Sequence, residues 1–286
     1  MISLRQAIRC VKQNMTPSIR AMSSQSLVNI TADKDNDEVA ILTLQRPPVN
    51  SLNLELLQAI NNSLDEIAKN KFRAMILTSA SPTVFSAGLD IMEMYKPDLK
   101  RAEQFWSTLQ DTWLKLFETS LITAAAINGH APAGGCLLAM SCEYRAMVSG
   151  KYTIGLNETA LGIVAPTWFM ESMLNTIPRR ESEFALTTGR LFTVEEALKV
   201  GLIDETAKDK DDAINKCKKF IAKFDRIPPE ARTLSKLKFR ARSTQWLKNN
   251  KEADLKEFIA SIQTPKVQQT LEMYIHMLKQ KQSKSN

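Results

Sequence analysis

Ile122-Thr123-Ala124-Ala125-Ala126-Ile127-Asn128-Gly129-His130-Ala131-Pro132-Ala133-Gly134-Gly135-Cys136 is the stretch on which the fold turns. Ile122–Ile127 is a short apolar run and reads as a strand. Asn128-Gly129 is a turn signal. A helix is expected to start near Ala133. Its small first residues let a ligand carbonyl approach the backbone closely. The start of a helix also offers free N–H groups and the positive end of its dipole.

The same alternation extends to both sides. Upstream, Val39–Leu44 is a β-rich run closed by Arg46-Pro47-Pro48. Leu54, Leu57, Ile60, Leu64 and Ile67 recur at spacings of three and four, which predicts an amphipathic helix. Arg73–Thr78 reads as a strand and Ala102–Phe117 as a helix. Downstream, Tyr144–Val148 and Tyr152–Ile154 are short strands. This order predicts an α/β fold with helices packed on a largely parallel sheet. After Ala165 the texture turns mostly helical. Thr193 with Glu196 is a capping-box signature, and Gly201 closes that helix. Asp209–Phe224 reads as a further helix. Pro229 to Met277 reads as a helical tail rich in Lys and Arg.

Composition narrows the function classes. The 286 residues carry a net charge of +7 and no apolar run long enough to span a membrane. No Asp or Glu precedes Asp33, whereas Arg5, Arg9, Lys12 and Arg20 do. Serines and spaced apolar residues accompany them. This pattern fits an organelle transit peptide, with a disordered basic arm as the alternative. Removing those four charges from +7 leaves +3, too little by itself to argue for nucleic acid. The later basic cluster Arg232, Lys236, Lys238, Arg240, Arg242, Lys248 and Lys251 is expected to be solvated helix surface. Cys10, Cys136, Cys142 and Cys217 form no CxxC pair, and His130 and His276 join no zinc-like grouping. Neither a metal nor a disulfide framework is expected.

Three segments hold the candidate chemistry: Phe85-Ser86-Ala87-Gly88-Leu89-Asp90, Asn128 to Cys136, and Ile154-Gly155-Leu156-Asn157-Glu158-Thr159-Ala160-Leu161-Gly162. The first two follow strands, at the sheet end where open α/β folds bind ligands. The third puts one carboxylate in an apolar, glycine-flanked setting. Read singly, each has an ordinary structural meaning: a turn, a close helix–sheet packing and a loop acid.

As an ordered set they resemble the crotonase, or enoyl-CoA hydratase/isomerase, superfamily. Leu44-Gln45-Arg46-Pro47 and the later run from Thr188-Gly189-Arg190 to Gly201-Leu202-Ile203-Asp204 fall in the same order. The resemblance implies a ββα superhelix with a C-terminal helical trimerisation region. It divides the chain into a mitochondrial transit segment at 1–27, a spiral core with the acyl-CoA site at 28–225, and a helical region at 226–286. It implies an oxyanion hole made by the backbone N–H groups of Leu89 and Gly134. Ala87, Gly88, Leu89, Asp90, Ile91 and Gly134 would contact substrate. Glu158 would be the catalytic base. Asp90 would cap or orient the first loop, and Arg46 would lie near the coenzyme A phosphates.

One position separates the reactions of the superfamily. Its hydratases hold water between two glutamates, and this chain has Leu137 where one of them stands. A 1,3-proton shift needs only the other, Glu158. The resemblance therefore points to the mitochondrial Δ3,Δ2-enoyl-CoA isomerase branch. It implies a fatty enoyl-CoA thioester as substrate, no cofactor beyond its coenzyme A, a homotrimer, no nucleic acid and the mitochondrial matrix. Hydration, dienoyl-CoA isomerisation and, more remotely, RNA binding stand as alternatives. The acyl pocket is expected between Met92 and Trp113 and around Trp168 and Phe169.

Overall fold

Strands β1 (Val28–Asp33) and β2 (Asn36–Leu44) form an antiparallel pair in which Val28 faces Leu44 and Ala32 faces Ala40. After helix α1 (Leu54–Lys69), strand β3 (Ala74–Ser79) lies parallel to β2. Helix α2 (Leu99–Glu118) leads to β4 (Ile122–Ile127), which is parallel to β3. Then follow β5 (Ala131–Pro132), α3 (Gly134–Ser141), β6 (Tyr144–Val148) and β7 (Thr153–Gly155). The chain continues through α4 (Thr167–Leu174), α5 (Arg179–Thr188), β8 (Phe192–Thr193), α6 (Val194–Val200), β9 (Glu205–Ala207) and α7 (Lys210–Ala222). It ends in α8 (Pro229–Ile262) and α9 (Pro265–Ser283). This computed structural model describes residues 26–70 and 72–283, so the expected transit segment lies outside the described residues apart from its last two positions. Among the described residues no helix is long and apolar enough to cross a membrane.

The main sheet runs β1-β2-β3-β4-β6-β9, and a small second sheet joins β5, β7 and β8. Every residue of β3, β4 and β6 is buried. That is the mark of parallel strands covered on both faces, and it explains their unbroken apolar runs. The helices are closed by local chemistry. Asn53 caps α1 by accepting from Leu56 N, and Asp98 caps α2 by accepting from Arg101 N. The Thr193–Glu196 capping box forms in both directions at α6.

The tail is helical as expected, in two helices, because Pro265 lacks the N–H that would continue α8 and starts α9 instead. The basic cluster of α8 is not simply solvated. Arg232 and Lys236 are buried against Glu143, and Arg240 donates to Phe117 O and Ser141 O. Lys248 and Lys251 pair with Glu118 and Asp111.

Because β3 and β4 are parallel neighbours, the loops that leave them emerge side by side. They are stitched together: Phe85 N donates to His130 O, and His130 N donates to Thr83 O, both at 2.9 Å. Gly129 makes this contact possible, since a Cβ there would lie 2.0 Å from the Thr83 carbonyl.

Candidate active site

The paired loops open onto a cavity of about 680 Å³. Ala87, Leu89, Asp90 and Ile91 line it from the first loop, Ala133 from the second, and Asn157 and Glu158 from a 3-10 turn at Glu158–Leu161. Gly88 and Gly134 are in the backbone behind this lining. A Cβ on Gly88 would come within 3.1 Å of Gly134 N, and one on Gly134 within 3.4 Å of Leu89 N. The two expected oxyanion donors are therefore close neighbours. Leu52 N donates to Gly88 O and Asp90 N to Leu52 O, which skips the Leu89 N–H between them. Gly134 is the first residue of α3 and has no preceding turn to bond. Among the described residues, neither N–H has an acceptor.

Backbone conformation maintains this arrangement. Gly88 has φ +84°, which favours glycine. Ala133, immediately before Gly134, has φ +49° and ψ −121°. A non-glycine residue held there costs about 1–3 kcal/mol, and such strain tends to gather at functional sites. Ala133 N is anchored to Gly155 O at 2.7 Å.

Glu158 is 7% exposed, and among the described residues neither carboxylate oxygen has a hydrogen-bond partner. Leaving such a group unpaired costs about 1–3 kcal/mol or more, so a purely structural role does not account for it. Burial pushes its pKa up from 4.5 to about 7, and the nearness of its own backbone N–H opposes this only in part.

The other acids in the cavity wall are engaged or exposed. Asp90 pairs with Arg46 Nη2 at 3.0 Å and accepts from Met92 N at 3.1 Å, so it caps the turn after the first loop. Arg46 also donates to Ser51 O, which makes it part of the loop's support. Glu257 is exposed. Asp254, which the sequence did not single out, accepts from ring and amide N–H groups of α2 and α4. Leu137 is fully buried in the core and is not among the lining residues. Glu143 is structural, accepting from Thr123 N and pairing with α8. His130 Nδ1 lies 3.2 Å from Thr153, in keeping with a structural histidine.

The remaining wall is mostly apolar. Trp106, Phe169 and Phe258 come from α2, α4 and α8, while Leu271, Tyr274 and Ile275 come from α9. Trp113 and Trp168 stand behind this lining instead of in it. Among the described residues no group of three or more His, Cys, Asp or Glu is placed to hold a metal ion.

Residues 34–284 match the family described as enoyl-CoA hydratase/isomerase. The chain is 45% identical over 245 residues to "Enoyl-CoA delta isomerase 1, mitochondrial" of Mus musculus, covering 85% of this chain and 84% of that protein. The protein of the same description from Homo sapiens is 41% identical over 244 residues, covering 85% and 80%. The crystal structure of human mitochondrial delta3-delta2-enoyl-CoA isomerase superposes with a TM-score of 0.86 at 39% identity, covering 89% of this chain and 99% of that one.

Proposed function

This chain belongs to the enoyl-CoA hydratase/isomerase family, and from that premise we propose that it converts 3-cis- and 3-trans-enoyl-CoA to 2-trans-enoyl-CoA by a one-base 1,3-proton shift. Its mitochondrial relatives, 41–45% identical over 85% of this chain, are described as enoyl-CoA delta isomerases, and the similar human structure as a delta3-delta2-enoyl-CoA isomerase.

The thioester oxygen accepts from Leu89 N–H and Gly134 N–H. The Glu158 carboxylate takes a proton from C2. The electron pair spreads through C2 and the carbonyl into a dienolate, whose oxygen the two donors stabilise. Glu158, now neutral, returns the proton to C4, and the double bond settles between C2 and C3. Fixed backbone donors need no reorganisation as charge develops, and one donor of this kind is worth about 2.7–4 kcal/mol. A base with a pKa near neutrality both accepts and returns a proton readily. Ala87, Gly88, Asp90 and Ile91 complete the substrate contact, Asp90 through its cap on the first loop.

The observation that carries this reading is Glu158: buried, raised to about 7 and unpartnered, in the same wall as Leu89. Hydration is less well supported, since the place of a second acid is taken by Leu137, a core residue. Nucleic-acid binding has little support, because the basic cluster on α8 is largely engaged in internal pairs. No cofactor is required beyond the coenzyme A of the substrate. We place the protein in the mitochondrial matrix, on the acid-free, Arg-containing N-terminus and its mitochondrial relatives. We take 1–27 as the transit segment, 28–225 as the core and 226–286 as a helical region that also closes the cavity. Exposed Leu234 and Phe239 on α8 support assembly into a homotrimer.

Glu158→Gln tests the assignment. Turnover of 3-enoyl-CoA should fall by about 10²–10⁴-fold, the usual contribution of a general acid–base, while affinity for a saturated acyl-CoA is retained. Turnover near the wild-type rate would remove Glu158 as the base.

A further inference from the structure

The proton shift makes no use of Asp254. This buried carboxylate accepts from Trp106 Nε1 at 2.7 Å, from Gln110 Nε2 at 2.7 Å, and from Trp168 Nε1 at 3.2 Å. All three partners are neutral donors. They solvate the carboxylate without cancelling its charge. Trp106 stacks on Phe258 in the cavity wall at 3.9 Å and 6°, and meets Trp168 behind that wall edge-on at 6.0 Å.

The cavity wall has buried parts and exposed ones. Asp254, Trp106 and Phe258 are buried, whereas the lining residues Met92, Val164 and Leu278 are exposed and mark the mouth. Coenzyme A is polyanionic and stays on the wet side, so the alkyl tail runs toward the buried part. There the tail meets an apolar ring wall that has a carboxylate set into it.

We propose that Asp254 is a specificity-determining residue, which reserves the tail end of the cavity for uncharged alkyl chains and rejects acyl chains that end in a carboxylate. The inference rests on the enoyl-CoA reading of the cavity. A terminal carboxylate would leave water and meet a like charge where the effective dielectric is low. Among the described lining residues the one cation, Lys279, is exposed on α9 and does not neutralise the buried part. A terminal hydroxyl carries no charge and escapes the repulsion.

Calorimetry tests this with dodecanoyl-CoA and its ω-hydroxy and ω-carboxy analogues, saturated thioesters that report binding apart from turnover. The wild-type protein should bind the ω-carboxy compound at least about tenfold more weakly than the ω-hydroxy one, a difference of about 1.4 kcal/mol. In Asp254→Asn the ratio of the two affinities should close by about tenfold, whatever the variant's affinity for dodecanoyl-CoA. Equal wild-type affinity for the two analogues would overturn the inference without any variant. An unchanged gap in folded Asp254→Asn would also overturn it. If wild-type protein bound none of the three, the enoyl-CoA reading itself would fail and take the inference with it.

Discussion

Glu158 is stored in the fold at a cost that depends on pH. Its pKa is raised by burial from 4.5 to about 7, so the folded state binds a proton that the unfolded state has already released between those values. Ionisation of Glu158 therefore withholds stability progressively as pH rises from about 4.5, and the loss levels off above about 7. The difference corresponds to about 3 kcal/mol at its fullest. Glu158→Gln should melt higher than the wild-type protein at about pH 8, with the advantage shrinking toward about pH 5. A melting difference that does not vary with pH would show that the carboxylate is not held in this way. The residues proposed for the reacting centre each stand in a short local motif whose resemblance to the family singled them out: Leu89 after Ala87-Gly88, Gly134 after Ala133, and Glu158 between glycines. Asp254 was not legible. It lies in a charged helical run, and its meaning comes from Trp106, Gln110 and Trp168, which are remote in sequence.

Elements place these residues through two devices. The first is the parallel pairing of β3 with β4, which brings their loops side by side and the donors of Leu89 and Gly134 to one spot. Gly88→Ala should disturb that placement doubly. Its φ of +84° disfavours a side chain, and the new methyl would lie 3.0 Å from Pro132 O. We expect kcat to fall by about 10²–10³-fold, the loss associated with one oxyanion donor. Steady-state kinetics on the folded variant checks it. The second device is Glu143, which ties the start of β4 to α8 through Thr123, Arg232 and Lys236. Burial acts to raise its pKa, but Lys236 and Arg232 outweigh it and hold the carboxyl below its ordinary range. Glu143→Gln would leave buried cations uncompensated, and urea unfolding should show a loss of about 3–5 kcal/mol. The apolar runs, the capping box at Thr193 and the closing Gly201 were readable because periodicity and caps are local properties. Strand β1 was not. Its exposed Asn29 and Thr31 dilute the apolar signal, and only pairing with β2 makes it a strand.

For the whole molecule, the active cavity is a joint product of the sheet loops and the C-terminal helices. Leu89, Ala133 and Glu158 come from the former, and Asp254, Phe258 and Tyr274 from the latter. Charge counting along the tail suggested solvated surface because it cannot show that Arg232 and Lys236 turn inward. The alternation of strands and helices, by contrast, carried the α/β architecture from Val39 to about Ala165. One buried carboxylate, lining the same cavity as Leu89, is proposed to move a proton and add nothing to the substrate. The most direct measurement incubates the purified protein with 3-cis-enoyl-CoA and follows ultraviolet absorbance and product mass together. A conjugated 2-trans product of unchanged mass is expected. A product heavier by one water, or no conversion, would contradict the proposed proton shift.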